Sequence, residues 1–187
     1  MVRRIAERTK NHEWNAYKSK WKSALDKGLN VDLKGEENIL YLGASTGSTI
    51  SHIKDKTKGF IFAVEKSPKM MIELMKLSMK SENIVPIFLD ARNIEEIKKR
   101  LFKENIDVLF QDIPSPDQVN MLINASELVD SDCRIFLSLK IISVAHWTHE
   151  TVLKKTEENL KKHFKIIESV SLEPFHKKHY FYVLKKK

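Results

Sequence analysis

Charged residues close successive apolar runs of this chain. Glu65 follows Ile61-Phe62-Ala63-Val64, Asp90 follows Ile87-Phe88-Leu89, Asp112 follows Val108-Leu109-Phe110-Gln111, and Lys140 follows Ile135-Phe136-Leu137-Ser138-Leu139. Another run, Ile39-Leu40-Tyr41-Leu42, stops at Gly43 and opens into Ala44-Ser45-Thr46-Gly47-Ser48-Thr49, a loop holding two of the chain's five glycines. These residue types in this order suit a nucleoside-bearing ligand above an apolar floor. Small residues let backbone N–H groups approach a ligand closely. A carboxylate about twenty residues after such a loop is placed to accept from ribose hydroxyls.

Such groups meet only if the runs are strands ending on one edge of a sheet. The pattern predicts strands over 38–42, 59–64, 84–89, 106–111, 133–139, 165–172 and 179–184, and helices over 48–56, 68–80, 93–103, 116–129 and 148–162. Ahead of these, Trp14, Tyr17, Trp21 and Leu25 recur at helical spacing, which predicts a docking helix from Glu13 to Leu25. The alternation predicts an α/β fold: a Rossmann-like, mostly parallel sheet of seven strands with helices on both faces. The last two strands have only a loop between them, so one of them runs antiparallel. Ser67-Pro68 and Ser115-Pro116-Asp117 suit helix starts, and Gly59 suits a turn into the second strand. Residues 1–37 read as a short extension carrying the docking helix, and 38–187 as one globular unit. In open α/β sheets ligands bind outside the carboxyl ends of the strands, where the charged residues above fall.

Two cofactor classes fit a glycine loop followed by an acidic strand end. A dinucleotide site wants three glycines, the second admitting a pyrophosphate. Here the loop is Gly-x-x-x-Gly followed by Ser48 and Thr49, with no third glycine. S-adenosylmethionine fits better, because its amino-acid tail and adenosine need close backbone and no diphosphate cradle. Asp90 then serves as acceptor for an adenine amino group. NAD ranks below the methyl donor.

Composition narrows the setting. The chain has 187 residues, 42% hydrophobic and 31% charged, a globular balance. No apolar stretch reaches membrane-spanning length, and Met1-Val2-Arg3-Arg4 lacks the apolar segment of a signal peptide. The one cysteine, Cys133, excludes an internal disulfide and points to a reducing, cytoplasmic setting. Net charge is +8, with lysine runs such as Lys98 to Arg100 and Lys185 to Lys187, so a polyanionic partner is expected. His146 and His149, like His176 and His179, are three apart, but no cysteine cluster or further ligand set accompanies them, so no metal is expected.

Several separate segments resemble the fibrillarin family, the 2′-O-methyltransferases of box C/D guide-RNA particles. They are Trp14 to Lys20, Leu40 to Ala44, Ser51-His52, Ala63-Val64-Glu65, Asp90-Ala91-Arg92, Pro116-Asp117-Gln118 and Leu172-Glu173-Pro174, in the family's order. The resemblance implies a Rossmann-like methyltransferase domain. It implies that Gly43, Ala44, Ser45, Gly47, Ser48 and Thr49 hold the methionine part of S-adenosylmethionine, and that Glu65 binds the ribose hydroxyls. Lys66 lines the pocket, Asp90 and Ala91 contact the adenine, and Asp112, Ile113, Pro114 and Ser115 flank the sulfonium. A Lys-Asp-Lys-His tetrad falls on Lys20, Asp112, Lys140 and His179. Implied partners are box C/D guide RNA, target rRNA or tRNA, a Nop-domain scaffold protein and, indirectly, a kink-turn-binding ribosomal-type protein. The chain departs from the family at Ala16 (usually proline), Trp21 (usually leucine), Ile113-Pro114-Ser115 (usually apolar-Ala-Gln) and before His179, where an acidic neighbour is usual.

Methyl transfer to a ribose hydroxyl requires alignment of oxygen, methyl and sulfur, and removal of a proton from a weak acid. A lysine at that oxygen either accepts the proton or stabilises the developing alkoxide. Lys140, ending an apolar strand, is the candidate, with Asp112 on the neighbouring strand end as its expected counter-charge, a carboxylate expected to orient Lys20 as well and to suit the sulfonium. Two other classes stay open: a methyltransferase acting on a protein side chain or small molecule, in which Lys20 and Lys140 are dispensable, and a non-catalytic ribonucleoprotein subunit.

Overall fold

The computed structural model describes residues 14–142 and 147–187. Its elements are α1 (Lys20–Asp26), β1 (Ile39–Leu42), α2 (Ile50–Ile53), β2 (Ile61–Glu65), α3 (Pro68–Ser78), β3 (Ile84–Phe88), α4 (Ile94–Lys98), β4 (Val108–Gln111), α5 (Gln118–Ala125), a 3-10 turn (Ser126–Leu128), β5 (Arg134–Lys140), α6 (His149–His163), β6 (Phe164–Ser171) and β7 (His179–Lys186). All seven strands join one sheet in the order β3-β2-β1-β4-β5-β7-β6. The first five are parallel, and β7 runs antiparallel to both β5 and β6. The expected mostly parallel sheet is therefore present, and β7 is the reversed strand. Strand order reverses between β1 and β4, which opens a crevice at the carboxyl edge.

The period-two alternation of the strands explains the two cores. Ile39, Tyr41, Ala63, Phe110, Phe136 and Phe181 face α1, α2 and α3; Leu40, Leu42, Val64, Leu109, Leu137 and Tyr182 face α4, α5 and α6. Pro86 cannot donate to a ladder, and β3 is accordingly an edge strand. Ser67 caps α3 by accepting from Met70 N, with Pro68 at the first position, as its sequence suggests.

Several helices are shorter than predicted. The docking helix begins at Lys20, not Glu13: residues 16–18 form a turn, Ser19 caps α1 by accepting from Lys22 N, and Glu13 lies outside the described residues. Of its expected apolar stripe, Trp21 is fully buried against Phe110 and Phe136, whereas Tyr17 is 63% exposed and meets Phe175 edge-on. The helix predicted over 93–103 ends at Lys98, and the chain beyond it reverses at Phe102 and Lys103, with φ of 53° and 64°. That over 48–56 contracts to Ile50–Ile53. Gly59 also has a different reason from the one predicted: its φ is ordinary, but a Cβ would lie 2.4 Å from Glu37 O. Among the described residues no helix is long and apolar enough to cross a membrane.

Candidate active site

β1 ends where Gly43 turns with φ 83°. A Cβ at Gly43 would lie 2.6 Å from both Asp112 O and Ile113 Cγ1, so only glycine lets this turn pack against the chain leaving β4. Backbone bonds hold the arrangement: Gly43 N and Ala44 N donate to Val64 O, and Asp112 N donates to Leu42 O. Above this turn lies a cleft of about 440 Å³, within the range of small-ligand pockets. Gly43 and Ser45 line it from the loop, Glu65 and Lys66 from the end of β2, Asp90, Ala91 and Arg92 from beyond β3, and Asp112 to Ser115 from beyond β4. Lys20 stands at the side of the cleft, with Val64, Leu89 and Met121 as its apolar walls.

The carboxylates in the cleft are already oriented. Glu65 accepts from Ser45 N (2.8 Å) and Ser67 N (2.7 Å), tying the glycine loop to the start of α3 and leaving each oxygen a further lone pair. Asp90 accepts from Arg92 N (3.0 Å) and from Lys66 Nζ (3.3 Å), and these bonds hold its carboxyl below the usual range, so it is an ionised acceptor. Arg92 also reaches across the cleft to Asp117 (Nη2–Oδ1 3.0 Å, Nε–Oδ2 3.2 Å) and to Ser115 Oγ. With Ser115 as a further donor, Arg92 pulls the Asp117 carboxyl down to about 2. Asp117 thus turns to Arg92 and makes no side-chain cap bond to α5, which starts at Gln118 and not at 116.

At the other end of the cleft Lys20 Nζ lies 3.1 Å from Asp112 Oδ2, both side chains largely buried. Lys140 is not the partner of Asp112 that the sequence predicts. The register pairs Gln111 with Leu137, so Asp112 is level with Ser138 and Lys140 lies two residues further along, about 6.6 Å at strand rise. The first turn of α1 delivers Lys20 into that gap. Lys140 does share the face: residues 110, 112, 136, 138, 140, 179 and 181 alternate onto the side covered by α1. Lys140 pairs with His179 in the β5–β7 register. Lys140 N and O bond away from β7, so this is the non-hydrogen-bonded kind of pair, in which side chains sit closest. His179 Nδ1 lies 2.8 Å from Lys177 O and must donate to it, which leaves the lone pair on Nε2. Partial burial lowers its pKa, helped by the nearby Lys20 and Lys140 charges and opposed by the bond to Lys177 O and by Asp112, so the neutral imidazole is favoured.

The fibrillarin family model matches residues 3–187. A fibrillarin-like rRNA/tRNA 2′-O-methyltransferase of Methanocaldococcus jannaschii is 37% identical over 175 residues, covering 91% of this chain and 75% of the relative. The chain belongs to the fibrillarin family. Solved fibrillarins superpose closely. One in a fibrillarin/Nop5p complex matches with a TM-score of 0.86 at 30% identity, covering 93% of this chain and 84% of that one. The fibrillarin of Aeropyrum pernix, crystallised with natively bound S-adenosyl-L-methionine, gives 0.81 at 31% identity, covering 91% and 76%.

Against the positions expected from the fibrillarin family, the cleft gathers Gly43, Ser45, Glu65, Lys66, Asp90, Ala91, Asp112, Ile113, Pro114, Ser115 and Lys20. Ala44, Gly47, Ser48 and Thr49 do not line it. Ala44 O accepts from Gly47 N and shapes the turn. Thr49 Oγ1 bonds Ser19 Oγ at 2.9 Å, linking the loop to the cap of α1 and hence to Lys20. Ser48 faces a neighbouring hollow beside Trp14 and Lys18. Of the histidines, His52 stacks on Trp14 with centroids 5.5 Å apart, and His146 lies outside the described residues. Val64, Leu89, Arg92 and Met121 also line the cleft, and the sequence reading does not place them there. Arg92 had a signal in its place two residues after Asp90, whereas Met121 reads as ordinary helix core.

Proposed function

We propose that this fibrillarin-family chain methylates the 2′-hydroxyl of ribose in rRNA or tRNA with S-adenosylmethionine as donor. A box C/D guide RNA selects the target, in a particle with a Nop-domain scaffold and, indirectly, a kink-turn-binding protein. The observation that carries this reading is the Lys20–Asp112 pair closing one end of a nucleoside-sized cleft, with Lys140 and His179 on the same face of the sheet.

The cleft suits the donor. Glu65 retains lone pairs for two ribose hydroxyls, Asp90 is an ionised acceptor for an adenine amino group, and Asp112 puts a carboxylate where a sulfonium gains from one. Gly43 and Ser45 hold the amino-acid end. When bound, S-adenosylmethionine supplies an electrophilic methyl group on a sulfur that leaves as a neutral thioether.

The chain's own groups handle the acceptor. Lys20, fixed by Asp112, and Lys140 set ammonium donors around the 2′-oxygen and stabilise the negative charge it develops. The hydroxyl proton passes to His179 Nε2, the lone pair that its bond to Lys177 O leaves available. Partner RNA and protein supply target selection.

The test is methyl incorporation in the assembled particle, using guided RNA whose target nucleotide carries ribose or 2′-deoxyribose. Labelling confined to the ribose substrate is expected. Equal labelling of both removes the 2′-hydroxyl as acceptor.

A further inference from the structure

β4 stops at Gln111, opposite Leu137, but β5 runs on to Lys140. The inner edge of β5 at Lys140 therefore has no strand beside it. A backbone N–H and C=O left in that position need partners or lose register. One side chain meets both: Gln118 Nε2 donates to Lys140 O (2.7 Å), and Lys140 N donates to Gln118 Oε1 (3.1 Å). A primary amide matches the donor–acceptor spacing of a peptide unit, so Gln118 adds one rung to the ladder where β4 has ended. The amide orientation is unambiguous, since a flipped group would set N–H against N–H and oxygen against oxygen.

Gln118 is itself held. It is buried, it is the first residue of α5, and its carbonyl accepts from Gln111 Nε2 at 2.7 Å. Its chain continues directly from the 112–117 loop that forms the cleft wall, and Gln118 N donates to Ser115 O. On the outer side Ile141 N donates to Lys178 O, so the backbone around Lys140 is gripped from both edges.

We infer that Gln118 is a positioning residue for methyl transfer: its carboxamide fixes the Lys140 backbone, and with it the amine and the neighbouring His179, against the target ribose. This rests on the reading of Lys140 given above. Gln118 lies on the far side of the Lys140 backbone from β7 and is not among the residues that line the cleft.

The test compares Gln118→Ala, Gln118→Glu, Lys140→Ala and the double variant Gln118→Ala/Lys140→Ala in the assembled guide-RNA particle, by single-turnover methylation and by titration of S-adenosylmethionine. Gln118→Glu keeps the volume but sets a carboxylate oxygen against Lys140 O, so it carries the test if the alanine variant fails to fold. Both Gln118 variants are expected to lower the rate by up to about 10²-fold, as sub-ångström to ångström misplacement of a catalytic group does, with donor affinity within about two-fold of the parent. The double variant is expected to be no slower than Lys140→Ala alone, because the two residues act as a unit. Lys140→Ala at full rate overturns the reading of Lys140 on which this rests. A slow Lys140→Ala beside a fast Gln118→Glu, or losses that multiply in the double variant, overturns the role of Gln118 alone.

Discussion

Lys20 and His179 come from opposite ends of the sequence to the same side of the sheet, and in the proposed reaction each carries a separable part of the chemistry. Lys20 contributes charge held in place by Asp112 at 3.1 Å. Lys20→Ala is expected to lower the methylation rate by about 10²–10³-fold, the loss usual for one preorganised donor, while S-adenosylmethionine titration shows affinity near the parent. Loss of donor affinity in place of rate would move Lys20 from the reaction to binding. His179 contributes a lone pair. Its pKa is depressed below the usual 6.5, chiefly by burial, so the neutral form predominates at and above neutrality. The rate is expected to be flat above pH 7 and to fall with acid on a limb below 6.5, and this limb should vanish in His179→Ala, whose residual rate is pH-independent there. The depressed pKa values of His176 and His179 also mean that the unfolded chain binds more protons just below 6.5. Their contribution to stability is therefore complete above 6.5 and declines as pH falls toward their folded values, which acid titration of unfolding would read.

Strand ends and the loops leaving them set the cleft, and α1 completes it. The tightest demand is at Gly43, where φ is 83° and Asp112 O is 2.6 Å from any added Cβ. Gly43→Ala is expected to destabilise the fold by about 1–3 kcal/mol, combining left-handed strain with a clash against backbone. It should also weaken S-adenosylmethionine binding, since the turn and the Asp112 loop must separate. Parent-like donor affinity in a folded Gly43→Ala protein would contradict the close-approach argument. α1 depends on Trp21, whose ring is packed between Phe110 and Phe136 and whose Nε1 donates to Val31 O. That anchor fixes the helix whose first residue is Lys20. The helical spacing of Trp14, Tyr17 and Trp21 was visible, but Trp14 stacks on His52 and Tyr17 turns to Phe175, so the first two stabilise a turn that precedes the helix. A propensity pattern gives no means of seeing that Ser19 caps the helix and bonds Thr49 across the fold.

The molecule as a whole separates a reactive edge from a structural one. At the amino-terminal end of the sheet Arg134 Nη2 lies 2.6 Å from Glu37 Oε1, joining the entry to β1 with the start of β5, both side chains nearly buried. Arg134→Ala removes the cationic partner of Glu37, leaving it the bond from Lys34 N, and is expected to cost about 3 kcal/mol, measured by denaturant unfolding, with donor affinity unchanged because the cleft lies at the far end of the strands. A matching loss of donor affinity would show the two edges to be coupled. The excess of lysine gives the surface its net charge of +8, which suits a polyanion and implies binding that weakens as salt rises.

What the residues alone determined is everything that depends on local order. Short apolar runs became strands, charged residues at their ends arrived at one edge, and the motifs pointed to Gly43, Ser45, Glu65, Lys66, Asp90, Ala91 and the 112–115 loop, all of which line the cleft, though Ala44, Gly47, Ser48 and Thr49 do not. These follow from chain geometry over a few residues, and parallel connection carries strand ends to one side. What only the tertiary structure decided is pairing. Of the two lysines expected at Asp112, only Lys20 meets it, because the β4–β5 register displaces Lys140 by two residues, a fact set by long-range packing. The grip of Gln118 on Lys140 likewise arises because β4 ends before β5, and the relative lengths of neighbouring strands are fixed only when the sheet assembles.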